Sequence, residues 1–208
     1  MVRLSGPCMS IAASGSLGKS IVFSSWKGRA YARQLVTPSN PQTAGQMSVR
    51  AMLKFLTKNW AALTAGNKAT WALLAADSSI STFNAYVRYS LTRWTHFKGP
   101  TKECPAADAS TPSAAVTTTV TAAVRELSLS IADGSPVSTW GFVLHRSTVT
   151  GFTPSRATAV ICQIKTATPT VIIDTPLLTG IPYYYRVGGL MADGVLGVLE
   201  AQKTGTPL

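Results

Sequence analysis

TVIIDTPLLTGIPYYYRVGGLMADG, residues 170–194, divides into two runs with a turn between them. PTVIIDT (169–175) and YYYRVGGLM (183–191) are short, β-branched or aromatic, and bounded by Thr179-Gly180 and Asp193-Gly194. That is the pattern of two strands. Successive strand side chains point to opposite faces. Tyr183 and Tyr185 therefore share one face and Tyr184 takes the other. One face fills a core, and a buried tyrosine hydroxyl there needs a backbone partner.

Working outward, the same period of two recurs after residue 115. VTTTVTAAV (116–124), LSLSIA (127–132), TWGFVLHRS (139–147), AVICQIK (159–165) and VLGVLEAQK (195–203) are further expected strands. Turns are expected at Asp133-Gly134 and Thr150-Gly151. Seven short strands in about 100 residues point to an all-β sandwich. The sandwich is expected over 116–208. GPTKECPAADASTPSAA (99–115) has no periodicity and reads as a linker.

Before the linker the period lengthens. Thr43, with Gln46 three residues on, is expected to form a capping box. The helix it opens should reach about Leu63, with Val49, Met52, Leu53, Phe55, Leu56, Trp60 and Leu63 mostly on one face. A shorter helix starts at Thr64 or Asn67 and passes Trp71, Leu73 and Leu74 to Asp77. Ser81 or Thr82 caps a third, striped by Phe83, Tyr86, Val87, Leu91 and Trp94 and stopped at Gly99-Pro100. Upstream, IVFSSWKGRAYARQLV (21–36) reads as two strands turning at Lys27-Gly28. Residues 1–98 are thus expected to form an α+β domain, a β-hairpin plus three helices.

ASGSLGKS (13–20) matches a relaxed phosphate-binding loop, and TVIID resembles the strand that accompanies one. Such a loop must open a helix, whose N-terminus and loop amides hold phosphate. The run after Lys19 is aromatic, β-branched and broken by Gly28, so a turn before a hairpin is expected instead. The 170–175 strand absorbs the second match.

Charge is divided unevenly. Of 19 Lys and Arg residues, 13 lie in 1–103, against Asp77 and Glu103 only; 104–208 carries six of each sign. The net charge of +11 therefore belongs to the front of the chain. Self-repulsion there favours a partner that supplies negative charge. Lys27, Arg29 and Arg33 cluster on the hairpin, with Arg29, Tyr31 and Arg33 on one face by parity. Arg50, Lys54 and Lys58 form a helical stripe, and Arg88 and Arg93 lie on the last helix. These six hairpin and stripe cations are the candidate docking residues, with Trp26 and Tyr31 as candidate interface anchors. Trp60 and Trp94 are expected in the core.

Catalytic chemistry is not expected. The front half has two carboxylates and one histidine, and His96 and His145 have no Cys or carboxylate at ligand spacing. Both histidines are expected on the surface or a strand face. Cys8, Cys104 and Cys162 are too scattered for a disulfide framework or zinc site. No cofactor, metal or small-molecule substrate is implied. No apolar run is long enough to span a bilayer, and MVRLSGPCMSIAAS is a poor signal peptide.

Two resemblances add to this reading. Phe142, Leu144, His145, Arg146 and Ser147, then Asp174, Leu177, Gly180, Tyr183, Tyr184, Tyr185, Arg186 and Val187, then Asp193, Gly194 and Gly197 resemble the phrases of a fibronectin type III domain. The likeness spans about 112–206 and implies an immunoglobulin-like sandwich used as a spacer or adhesive module. Gly15, Gly18, Trp26, Lys27, Gly28, Tyr31, Arg33, Pro38, Asn40, Pro41, Thr43, Gln46 and Arg50 resemble a family of small phage and bacterial proteins. That likeness, over about 14–95, implies a virion structural protein: a capsid decoration, head-fibre or tail-associated component. Its expected partners are other virion proteins, in multiple copies or as a homo-oligomer. Nonspecific nucleic-acid binding by the basic front half is the alternative.

Overall fold

The computed structural model describes residues 14–208 except 19, 38, 41, 110, 113 and 133–138. Expectations resting on Arg3, Cys8, Ala13, Lys19, Pro38, Pro41 and the Asp133-Gly134 turn lie outside the described residues. The chain divides into two compact units, Met1–Pro41 and Gln42–Leu208.

The first unit is a three-stranded antiparallel sheet, β1 (Gly15–Leu17), β2 (Ile21–Trp26) and β3 (Arg29–Gln34), in that order. The two-residue turn Lys27-Gly28 joins β2 to β3. Both residues have positive φ, 49° and 73°, as a type I′ turn demands and as glycine tolerates. The segment after Ser20 is a strand and not a helix. A phosphate-binding loop has no helix N-terminus to use here.

The second unit carries the sandwich. One sheet has the order β4 (Thr117–Ala123), β5 (Glu126–Ala132), β8 (Thr170–Asp174). The other runs β10 (Lys203–Gly205), β9 (Tyr183–Met191), β6 (Thr139–Ser147), β7 (Ala159–Ile164). Every pairing is antiparallel. Leu127, Leu129, Ile131 and Ile172 of the first sheet meet Phe142, Leu144, Tyr183, Tyr185 and Val187 of the second. The parity expected for the tyrosines holds, and Leu178 N donates to Tyr183 Oη at 3.2 Å. Tyr185 Oη donates to Asp174 Oδ2 at 2.8 Å, and Arg146 Nη1 reaches Asp174 Oδ1 at 2.7 Å.

The expected strand 195–203 is not regular. It is tied to β9 by one bridge, Leu190 to Leu196, and by backbone bonds from Met191 N to Val195 O, Gly197 N to Gly189 O and Glu200 N to Val187 O, and regular strand geometry returns only at β10. Glu200 bonds to both sheets, its amide donating to Val187 O of β9 at 2.9 Å. Its carboxylate accepts from Thr118 N at 2.9 Å, tying this segment to β4 of the opposite sheet.

Four helices follow the hairpin: α1 (Ala44–Ala62), α2 (Ala65–Ala69), α3 (Ala72–Asp77) and α4 (Thr82–Thr95). Thr43 precedes α1 but makes no side-chain cap bond, so the expected capping box is absent. The first turn is largely exposed, and water can satisfy its amides. The single helix expected over 64–77 breaks at Thr70-Trp71. The break buries Trp71 fully, its indole donating to Lys102 O at 3.1 Å. Thr64 and Ser81 both cap, accepting from Asn67 N and Asn84 N at 3.2 Å.

The helices do not form a domain with the hairpin. They pack on the outer face of the four-stranded sheet and share its core. Met52, Phe55, Leu56, Trp71, Tyr86 and Trp94 cluster with Trp140, Val143, Ala159, Cys162 and Leu190. A register shift between Thr139 and Gly141 turns Trp140 to the helix side, out of strict alternation with Phe142. Phe55 meets Trp140 edge to face, with centroids 5.2 Å apart. Gly141 makes room for it: a Cβ there would lie 2.5 Å from Phe55 Cε2 and 2.5 Å from Gln163 O.

The expected 99–115 linker is correspondingly corrected. Its first ten residues are a strap. Gly99 N donates to Gly194 O at 2.9 Å, Lys102 N to Ala192 O at 2.8 Å and Asp108 N to Asp193 O at 3.3 Å. Arg93 Nη1 binds Asp108 at 3.0 Å, and its Nε donates to Gly99 O at 3.0 Å. Cys104 N donates to Thr70 Oγ1 and Ala106 N to the Tyr89 hydroxyl. Composition made this segment look like a spacer. Backbone hydrogen bonds, which composition does not display, hold it in place.

Candidate functional site

The β2–β3 register places side chains on two faces. Val22 pairs with Arg33, Ser24 with Tyr31 and Trp26 with Arg29. Directly opposed residues share a face. One face therefore carries Trp26, Arg29, Tyr31 and Arg33 together, as the parity of β3 foretold, with Trp26 added from β2. Neighbouring positions along β3 on that face are about 7 Å apart. Trp26 is 66% exposed, and Lys27 Nζ sits 4.7 Å from its ring centroid. Lys27, Arg29 and Arg33 are exposed and Tyr31 is half-buried. No described ion pair includes any of the three cations.

The opposite face is apolar. Ile21 opposes Gln34, Phe23 opposes Ala32, Ser25 opposes Ala30, and Leu17 of β1 opposes Ile21. Leu17 is 61% and Ile21 40% exposed. No described residue of this unit is buried. A sheet normally buries at least one face to be stable. This one presents two chemically distinct faces, and neither holds a buried side chain among the described residues.

The other candidate cations lie elsewhere. Arg50, Lys54 and Lys58 are exposed on α1, opposite its buried row Ser48, Met52, Phe55, Leu56 and Asn59. They belong to the second compact unit, so the six candidates are divided between the two units. Arg93 is structural: it and Lys98 face Asp108. Part of the front half's charge excess is thus neutralised by the strap. Arg88 remains exposed and donates to Ser78 Oγ at 3.3 Å. Sequence reasoning could not give Arg93 this structural role, because its partners lie 15 and 101 residues away.

Some titratable groups of the second unit lie in its interior. His145 is fully buried, contrary to a surface placement, though it does lie on a strand. Burial pushes its pKa down to about 4, opposed by a backbone hydrogen bond at Ser155. Its Nδ1 lies 3.0 Å from Thr158 Oγ1 and its ring meets Phe97 edge-on. Burial pushes the Cys162 thiol up to about 12 and raises that of Cys104. Among the described residues, no three His, Cys, Asp or Glu side chains stand close enough to hold a metal ion. No helix among them is long and apolar enough to cross a membrane.

No family model matches the chain, and no curated protein does. Several solved structures each match just under half of the chain. A Fn3-like protein from Clostridium thermocellum is 24% identical, covering 46% of this chain and 95% of its own, with a TM-score of 0.36. A myokine structure is 18% identical over 47% of this chain and all of its own, with a TM-score of 0.38. A β-1,2-glucanase from Parabacteroides distasonis is 13% identical over 48% of this chain and 13% of its own, also at 0.38. The chain is a mixed protein of helices and several antiparallel sheets, part of which is distantly similar to a Fn3-like protein.

Proposed function

We propose that the chain is a bacteriophage virion structural protein, a capsid decoration, head-fibre or tail-associated component, and not an enzyme. Its sandwich is a fibronectin type III-like module. The hairpin unit docks on other virion proteins, and the unit built of helices and sandwich is what docking displays. The supporting observation is the sheet over 15–34, which carries exposed Trp26, Lys27, Arg29 and Arg33 and has no buried residue among those described. A partner completes such an element. Docking thereby moves from the whole 1–98 segment to the hairpin alone, because the helices already bury their apolar faces against the sandwich.

A mass-spectrometric census of purified particles tests this. The chain should be present, in tens to hundreds of copies for a coat or a handful for a portal or tail. Its absence refutes the proposal. The rival reading, nonspecific nucleic-acid binding, draws on the exposed Arg50, Lys54 and Lys58 stripe. It requires filter binding of DNA by the full chain with a steep salt slope.

A further inference from the structure

Residues 1–76 contain nine Lys or Arg and no carboxylate; the first acid in the chain is Asp77. The hairpin unit therefore cannot neutralise itself. Nor can a second hairpin neutralise it, since the copy brings the same charges. Its arginine face pairs each cation with an aromatic: Trp26 opposes Arg29, and Tyr31 lies between Arg29 and Arg33 on β3. Trp, Tyr and Arg are the side chains that dominate the energetic centres of protein interfaces. The reverse face offers Leu17, Ile21 and Phe23, with Ala32 opposite Phe23 and the uncharged Gln34 opposite Ile21. That face has no charge to hold a phosphate chain, and burying it requires another apolar surface.

We propose that the β1–β2–β3 unit is a docking arm for an acidic protein surface. Carboxylates of the partner meet Arg29 and Arg33, Trp26 fills a pocket beside them, and the Leu17–Ile21–Phe23 face lies on apolar partner residues. This deepens the virion reading and rests on it. A nucleic acid satisfies only the arginine face, and a second copy satisfies only the apolar face. An acidic protein with an apolar cleft satisfies both.

Carbodiimide coupling of native particles provides the test, because it joins an amine to a carboxylate in direct contact without a spacer. Peptide mass spectrometry should find Lys27 joined to Asp or Glu of a different virion protein. Arg29→Glu with Arg33→Glu should lower occupancy on particles at least tenfold, and Trp26→Ala about tenfold. Both variants should keep the near-ultraviolet circular dichroism of the parent, since these side chains are exposed and pack in no core. The purified full chain should sediment as a monomer. Four results overturn the inference: Lys27 joined to a second copy; a dimer abolished by Phe23→Asp; Trp26 or Tyr31 photo-crosslinked to nucleic acid in particles; or Lys27 uncoupled in particles that contain the chain. Particles without the chain fail the virion reading itself and remove this inference with it, a result distinct from the other four.

Discussion

Replacing Phe55 by alanine removes the ring that sits 5.2 Å from Trp140 and fills the hollow above Gly141. Phe55 is 1% exposed, so the whole ring leaves a cavity. A buried Phe→Ala change costs about 3–5 kcal/mol. The surroundings have little freedom to collapse, because one wall is the backbone of the β6–β7 sheet, so the upper part of that range applies. With a urea slope of about 2 kcal/mol/M, the midpoint should fall by about 2 M. The decisive measurement is hydrogen exchange, followed amide by amide on the full chain. Helix and sheet share one cluster of buried side chains. Amides of α1 and of the central strands β6 and β9 should therefore lose protection together and by similar factors. If α1 exchanges freely while β6 and β9 keep their parental protection, the helices are a separate domain and the shared core is refuted.

Other outcomes follow from the same geometry. Gly141→Ala should destabilise by about 3 kcal/mol, because its Cβ meets a backbone oxygen that cannot swing aside; thermal melting measures this. His145 is neutral when folded, with a pKa near 4 against 6.5 unfolded. The unfolded chain therefore binds the extra proton. Stability from this group is complete above about pH 6.5 and is lost as pH falls toward 4, by about 3 kcal/mol in total. His145→Gln should flatten that part of the stability–pH curve, read from urea midpoints between pH 4 and 7. Asp174→Asn should cost about 2 kcal/mol, since it strips the buried carboxylate from Arg146 while an amide can still hold the Tyr185 hydroxyl. A double-mutant cycle with Arg146→Met checks the coupling.

Strand existence in the sandwich was legible because alternation survives there: in β5, Leu127, Leu129 and Ile131 go inward and Ser128 and Ser130 do not. The hairpin turn was legible because Lys27-Gly28 must adopt positive φ. Three features were not. Trp140 breaks parity through a bulge, which no period reveals. The 195–203 segment has strand-like residues, yet it pairs with β9 only intermittently, and the Glu200 carboxylate reaches across to β4. The helix stripes announced a buried face without naming its cover. Met52 and Phe55 pack as well on a sheet as on another helix, so the sequence allowed a separate helical domain where the fold has a third layer on the sandwich. For the candidate site, parity located Arg29, Tyr31 and Arg33 on one face. The split between those residues and Arg50, Lys54 and Lys58 depended on tertiary contacts no local pattern records.

The strap from Gly99 to Asp108 has an evolutionary corollary. It stitches helices to sandwich with bonds from both sides, so a crossover near residue 98 would tear a core in half. The neutral seam for gene exchange lies after residue 41. Exchange there would replace the three-stranded sheet and leave the core shared by helices and sandwich whole.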